Sequence, residues 1–137
     1  MMTLILGKKG SGKTKKLLDL CATATAESKG NVVFIEKDST LTYNLSHKTR
    51  LVVSDEYGIA DFDAFYGFIA GMIAGNYDIT DVFVDSTLKI GGRDMAKLND
   101  FLRQVAALCE KANAHIVFSV SAEKEELPEA LWEYIAE

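Results

Sequence analysis

The sequence predicts an α/β fold: a three-layer sandwich in which a mostly parallel, five-stranded sheet carries helices on both faces. Two observations lead to this prediction. Short apolar runs alternate with longer amphipathic segments along the 137-residue chain. The apolar runs are continuous and rich in β-branched and aromatic residues, which is typical of strands buried on both faces of a parallel sheet. Strands and helices that alternate in this way are joined by right-handed crossovers.

Length and composition fit a single domain over residues 1–137. Hydrophobic residues make up 48% of the chain and charged residues 26%, enough for one core. No run of about eighteen apolar residues occurs, so we expect no membrane span and a cytoplasmic protein. A net charge of −5 with few arginines argues against broad nucleic-acid binding. Cys21 and Cys109 fall within amphipathic segments, where we expect them to be core residues.

The first predicted strand, residues 2–6, leads directly into a glycine-rich loop. Residues 7–14 have the pattern G-x-x-x-x-G-K-T of a phosphate-binding loop. Its glycines allow successive N–H groups to converge on an anion, and the following helix adds about half a positive charge. In this pattern Lys13 reaches the β- and γ-phosphates, and the Thr14 hydroxyl binds the bridging Mg²⁺. The expected nucleotide contacts are Gly7, Lys8, Lys9, Gly10, Ser11, Gly12, Lys13 and Thr14.

The same alternation of helix and strand continues along the chain. Residues 13–29 predict a helix, and residues 32–35 predict the second strand. The polar residues 36–50 predict an irregular connection that would close over a bound nucleotide. The remaining predicted elements are a strand over 51–53, a helix over 61–74, a strand over 82–84, a helix over 93–112, a strand over 116–120 and a closing helix from Pro128.

Polar residues follow several of these strands. Asp55 and Glu56 come just after the third strand, Asp85 follows the fourth, and Ser119 and Ser121 lie at the end of the fifth. In parallel sheets ligands bind outside the carboxyl ends of the strands. We therefore expect the glycine-rich loop and these side chains on one rim.

The loop, with the strand before it and the helix after it, resembles that of the P-loop NTPases. The resemblance is specific over residues 2–14 and architectural elsewhere, where the chain looks like a small RecA-like ATPase core of the additional-strand class. It is more distantly similar to thymidine kinases and to twitching-motility ATPases. The resemblance implies a protein that binds ATP and Mg²⁺, with a strand inserted between the loop strand and the strand that bears the metal-binding acid.

Two acids compete for the metal role beside Thr14. Asp85 follows Val82-Phe83-Val84 and resembles the acid of a Walker B strand. Asp55 precedes Glu56 and resembles an Asp-Glu pair in which the first acid binds Mg²⁺ and the second activates water. We favour Asp85 as the metal ligand, with Asp55 as the alternative.

For catalysis the sequence indicates Lys13 and Glu56. Ser86, rather than glutamate, follows Asp85, so we expect Glu56 to supply the water-activating carboxylate from another strand. The resemblance places Ser119 or Ser121 where P-loop ATPases sense the γ-phosphate.

These residues predict a Mg²⁺-dependent ATP-binding protein with slow or partner-stimulated hydrolysis. Arg93 is a candidate for an arginine finger that acts across the interface of a homo-oligomer or of a complex with a protein partner. Two alternatives stay open: a small nucleoside-type kinase and a nucleotide-binding switch that does not hydrolyse its ligand. No guanine-specific Asn-Lys-x-Asp pattern occurs, which favours adenine.

Overall fold

The computed structural model describes residues 1–39 and 45–136, and within them one five-stranded sheet has only parallel strand pairs. The strands are β1 (Met2–Leu6), β2 (Asn31–Glu36), β3 (Thr49–Val53), β4 (Ile79–Val84) and β5 (His115–Val120). The helices are α1 (Lys13–Glu27), α2 (Phe62–Gly75), α3 (Thr87–Gly91) and α4 (Met95–Ala112). Short 3₁₀ helices cover Ser54–Tyr57, Lys124–Glu126 and Glu129–Tyr134. The predicted α/β class and the five strands of a parallel sheet are confirmed.

The strands lie in the order β1-β5-β4-β2-β3. β5 therefore lies between β1, which leads into the glycine-rich loop, and β4, which leads to Asp85. β3, which leads to Asp55, lies at the far edge. This order decides which strand ends can meet the loop.

Successive strand residues point to opposite faces of the sheet, and each face has its own core. Phe34 and Phe83 pack with Leu17 and Cys21 of α1 in one core. Residues of α2 and α4 fill the other, where the ring of Phe101 lies 5.6 Å from that of Phe118, centroid to centroid. Helices thus cover both faces, in keeping with a three-layer arrangement.

Both cysteines are core residues, as the sequence predicted. Cys21 is 1% exposed and Cys109 is 3% exposed. Burial raises the pKa of both thiols, which disfavours the reactive thiolate form.

The start of α4 differs from the prediction in a way that matters for the site. The helix begins at Met95 rather than Arg93, because the Asp94 carboxylate accepts hydrogen bonds from the N–H groups of Ala96 and Lys97 at 3.0 and 3.2 Å. Such a side-chain cap fixes the first turn of a helix. Arg93 consequently lies in the connection between α3 and α4. The short helix α3 was itself not predicted.

The closing helix predicted from Pro128 is present as a 3₁₀ helix, Glu129–Tyr134, and it ends before Ile135, which the prediction had included. The chain then returns to the sheet, where the N–H of Ala136 donates to the carbonyl of Leu4 at 2.8 Å. This pairing with β1 ends the helical segment before it can lengthen.

None of the helices in residues 1–39 and 45–136 combines the length and the apolar character needed to cross a bilayer. Residues 40–44, part of the connection predicted to close over a nucleotide, lie outside the described residues.

Candidate functional site

The glycine-rich loop connects the end of β1 to the start of α1. Gly10 and Gly12 have φ angles of 84° and 88°, in the left-handed region that glycine adopts without steric cost. Within the loop, the N–H of Ser11 donates to the carbonyl of Lys8 at 3.1 Å. The glycines at these two positions therefore set the path of the loop into the helix.

The N-terminus of α1 differs from those of the other long helices. Asp61 and Asp94 cap α2 and α4 with their carboxylates. No side chain caps α1 at Gly12, and no acidic residue lies in its first turn. Because the first N–H groups of a helix have no partner within it, this end is suited to an anion.

Thr14 and Asp85 lie together, although 71 positions separate them in the sequence. The Thr14 hydroxyl donates to the two carboxylate oxygens of Asp85 at 3.0 and 3.3 Å. Asp85 is only 8% exposed. The structure thus brings together the hydroxyl and the acid that the sequence favoured for the metal role.

Ser119 lies on β5, the strand between β1 and β4, and its hydroxyl holds the Asp85 carboxylate. Its hydroxyl donates to Asp85 Oδ1 at 2.9 Å and accepts from the N–H of Ser86 at 2.7 Å. Ser119 is 1% exposed, and Ser86 has a left-handed φ of 55°, which is uncommon outside glycine. These contacts fix the direction of the carboxylate, while Ser121, the other predicted serine, lines the cleft in front of it.

A cleft of about 670 Å³ opens in front of the loop, within the size range of small-molecule sites. Its charged lining residues, among the described ones, are all cations: Lys8, Lys9, Lys13, Lys89 and Arg93. In this structure the Lys13 ammonium donates to the carbonyl of Lys8 at 2.8 Å and so lies against the loop. The cleft is thus positively charged although the chain as a whole has a net charge of −5, and this local positive charge favours an anionic ligand.

The oxygen atoms of Thr14 and Asp85 fit a magnesium site. Mg²⁺ prefers oxygen ligands and is commonly held by one or two carboxylates together with substrate phosphates. No group of three or more His, Cys, Asp or Glu side chains that could hold a metal occurs among residues 1–39 and 45–136. A hydroxyl and one carboxylate match a metal that arrives with a phosphate ligand rather than a resident ion in a protein cage.

Asp55 and Glu56 lie elsewhere on the rim. Both are exposed in the 3₁₀ helix that follows β3. The Asp55 carboxylate accepts from the Lys37 ammonium at 3.0 Å. The strand before them, β3, is separated from β4 by β2. The structure therefore does not bring Glu56, the predicted catalytic carboxylate, to Thr14 and Asp85.

Glu36 is the acid that the sequence analysis missed. The N–H of Asp85 donates to the carbonyl of Ile35 at 2.9 Å, which places the last residue of β2 beside Asp85. Phe34 belongs to the core beneath α1, and alternation along the strand puts Glu36 on that same face. Glu36 is 3% exposed. An acid that ends an apolar run was a usable signal, but the predicted strand stopped at residue 35.

Comparison with known protein families found no family model that matches this chain, and comparison with curated proteins found no match either.

Proposed function

We propose that this chain is a Mg²⁺-dependent ATP-binding protein whose hydrolysis is slow or stimulated by a partner. The observation that supports this most directly is the 3.0 Å hydrogen bond from Thr14 to Asp85. It joins the last residue of the glycine-rich loop to a buried carboxylate at the end of a strand. The strand order, in which β5 separates β1 from β4, is the one that the additional-strand ATPases imply.

In this proposal the glycine-rich loop, residues 7–14, binds the phosphates. Its N–H groups and the uncapped start of α1 face the anion, and Lys13 leaves the Lys8 carbonyl to contact the β- and γ-phosphates. Thr14 and Asp85 are the residues that would hold Mg²⁺. Bound Mg²⁺ supplies neutralisation of the charge that develops on the phosphate oxygens.

Glu36 is the residue we propose as general base. It is a carboxylate on the α1 face of the sheet, next to Asp85, so it can orient a water molecule toward the terminal phosphate and accept its proton. Ser119 holds the neighbouring Asp85 carboxylate in place with a hydrogen bond of 2.9 Å, in keeping with the separate role of Asp85 as a metal ligand. Glu36 therefore takes the role that the sequence analysis gave to Glu56.

The decisive experiment measures Mg-ATP binding and phosphate release for the wild type, Lys13→Ala and Lys15→Ala. Lys13→Ala removes charge-assisted hydrogen bonds to phosphate, and we expect ATP affinity to fall by roughly tenfold to a hundredfold. Lys15 is a matched control, since it is an exposed lysine of the same helix that pairs with Asp19 at 3.5 Å. Its replacement should leave both measurements within about twofold of the wild type.

Unfolding midpoints complete the design. The hydrogen bonds that Lys13 makes to Lys8 and Ser11 are exposed, so both variants should unfold like the wild type. Equal ATP binding by Lys13→Ala and wild type would contradict the proposed site. ATP binding without release above the Lys13→Ala background would leave a nucleotide-binding switch in place of an ATPase.

A further inference from the structure

The connection from Asp85 to α4 carries two cations into the cleft. It begins at Ser86, includes α3 and ends at Asp94, the cap of α4. Lys89 and Arg93 are exposed members of this connection, and both line the cleft together with Lys13. Positive charge therefore reaches the cleft from two segments of the chain: from the glycine-rich loop and from this connection.

The path of this connection is fixed at several points. The N–H of Ser86 is bonded to Ser119, as described above, and the N–H of Gly92 donates to the carbonyl of Leu88 at 3.0 Å. Gly91 packs so closely on the ring of Phe62 that a β-carbon at this position would collide with the aromatic edge. Arg93 is thus held between a tightly packed glycine and a capped helix start, and its position on the cleft wall follows from the fold.

Neither cation has an ion-pair partner among residues 1–39 and 45–136. The ion pairs in the described part of the chain join Lys15 to Asp19, Lys37 to Asp55 and His115 to Asp81. Lys89 and Arg93 take part in none of them. The positive charges of Lys89 and Arg93 repel each other weakly, and an anion bound in the cleft would relieve this repulsion.

The location of Asp85 indicates which phosphate they would meet. Mg²⁺ bridges the β- and γ-phosphates, and the connection leaves β4 at the acid proposed to hold that ion. Lys89 and Arg93 belong to the connection that starts at Ser86, directly after Asp85, and both line the cleft together with Thr14. The guanidinium group presents paired N–H donors that match two phosphate oxygens.

We propose that Arg93, supported by Lys89, contacts the terminal phosphate from within the same chain, so that the cleft distinguishes nucleoside triphosphate from diphosphate. This inference rests on the proposed function. It replaces the expectation that Arg93 acts across an interface, because Arg93 already lines its own chain's cleft.

The test compares ATP and ADP affinities, each with Mg²⁺, for the wild type, Arg93→Ala and Arg103→Ala. In Arg93→Ala the preference for ATP over ADP should fall by about tenfold, the effect of losing one charge-assisted contact, while ADP affinity changes by less than about twofold. Arg103 is the matched control: it is an exposed arginine on α4 that lines a different depression, between α2 and α4. Its replacement should leave the preference unchanged.

Arg93→Lys separates charge from geometry, since lysine keeps the charge but cannot form a bidentate contact. We expect a preference between those of the wild type and Arg93→Ala. An unchanged preference in Arg93→Ala would overturn the inference while Lys13→Ala still weakens both nucleotides. Failure of Lys13→Ala to weaken either nucleotide would instead overturn the proposed function.

Mixing distinguishes action within one chain from action across an interface. Phosphate release by an equimolar mixture of Arg93→Ala and Lys13→Ala should equal the sum of the two separate activities. Release well above that sum would mean that an intact Arg93 serves a neighbour's loop, and would overturn the same-chain assignment.

Discussion

Asp85 and Asp55 each follow a parallel strand on the same rim of the sheet, yet their surroundings have little in common. Asp85 is 8% exposed, and its carboxylate accepts hydrogen bonds from the hydroxyls of Thr14, Ser119 and Ser86. The Asp55 side chain is 50% exposed and pairs with Lys37, an arrangement that contributes about 0–1 kcal/mol in solvent. The difference comes from strand order: β4 lies inside the sheet and β3 at its edge. Position in the sheet, rather than the residues around each acid, selects the one that meets the loop.

The same comparison applies to the two glutamates. Glu36 is buried beside Asp85, whereas Glu56 is exposed near Asp55. If Asp85 and Glu36 form the catalytic site, conservative substitutions of these two acids should change ATP turnover or Mg²⁺-dependent ATP binding. The same substitutions of Asp55 and Glu56 should change neither.

The largest expected effect is on turnover by Glu36→Gln. Loss of a general base typically lowers the rate by about a hundredfold or more, and the amide retains the shape of the side chain. ATP affinity should stay within about threefold of the wild type, because the proposed role begins only after binding. Phosphate release under saturating Mg-ATP, together with a binding titration, measures both quantities.

Glu56→Gln is the control for this change and should retain wild-type turnover. The opposite pattern, with turnover lost in Glu56→Gln and kept in Glu36→Gln, would move the general base to the Asp55 end of the rim.

A smaller effect is expected from Asp85→Asn on the Mg²⁺ dependence of ATP binding. Removal of the carboxylate charge should reduce the gain in ATP affinity that Mg²⁺ provides by about tenfold, with Mg²⁺-free affinity little changed. Titration of ATP with and without Mg²⁺ gives both values. Asp55→Asn should keep the full gain, and a loss confined to Asp55→Asn would show that the edge strand holds the metal.

The smallest effect concerns stability, at the opposite end of β5. Burial lowers the pKa of His115 below its ordinary value, although the carboxylate of Asp81, 3.9 Å away, acts in the other direction. The unfolded chain therefore takes up this proton first as pH falls. The stability associated with neutral His115 is complete above about pH 6.5 and declines as pH falls through that value.

Urea unfolding at pH 7.5 and pH 5 checks this expectation with His115→Gln as the comparison. The wild type should lose more stability between the two pH values than the variant does, because glutamine has no titrating ring. Equal losses would show that His115 does not contribute. The carboxylate variants above are best compared near pH 7.5, where the contribution of His115 does not change with pH.

The sequence predicted the fold well because its signals are local. The continuous apolar runs of β2, β4 and β5 and the glycine-rich loop can each be recognised within a window of about ten residues. Asp85 could be favoured but not decided, since its contact with Thr14 depends on the order in which the strands assemble. That order is a property of the whole chain and not of any segment.

Glu36 and Arg93 show the same limit. The strand containing Glu36 was predicted to end one residue too early, at residue 35, so the acid was assigned to a polar connection. Arg93 was placed inside a helix because the cap at Asp94 was not recognised, and a residue within a helix gives no reason to expect a place on the cleft wall. The predicted closing helix differs from the structure for another reason. Ile135 pairs with Leu4 of β1, and this pairing overrides the helical preference of the residues at the end of the segment.

That pairing also affects how copies of this chain can associate. The outer edge of β1 is paired at Leu4 with the segment at Ile135 and Ala136, whereas in the described residues β3 pairs with β2 alone. A covered edge cannot recruit a further strand, and an open one can. The pairing at Leu4 hinders the addition of a strand to β1, and on the β3 side the exposed cations Lys48 and Arg50 oppose the approach of a second identical edge.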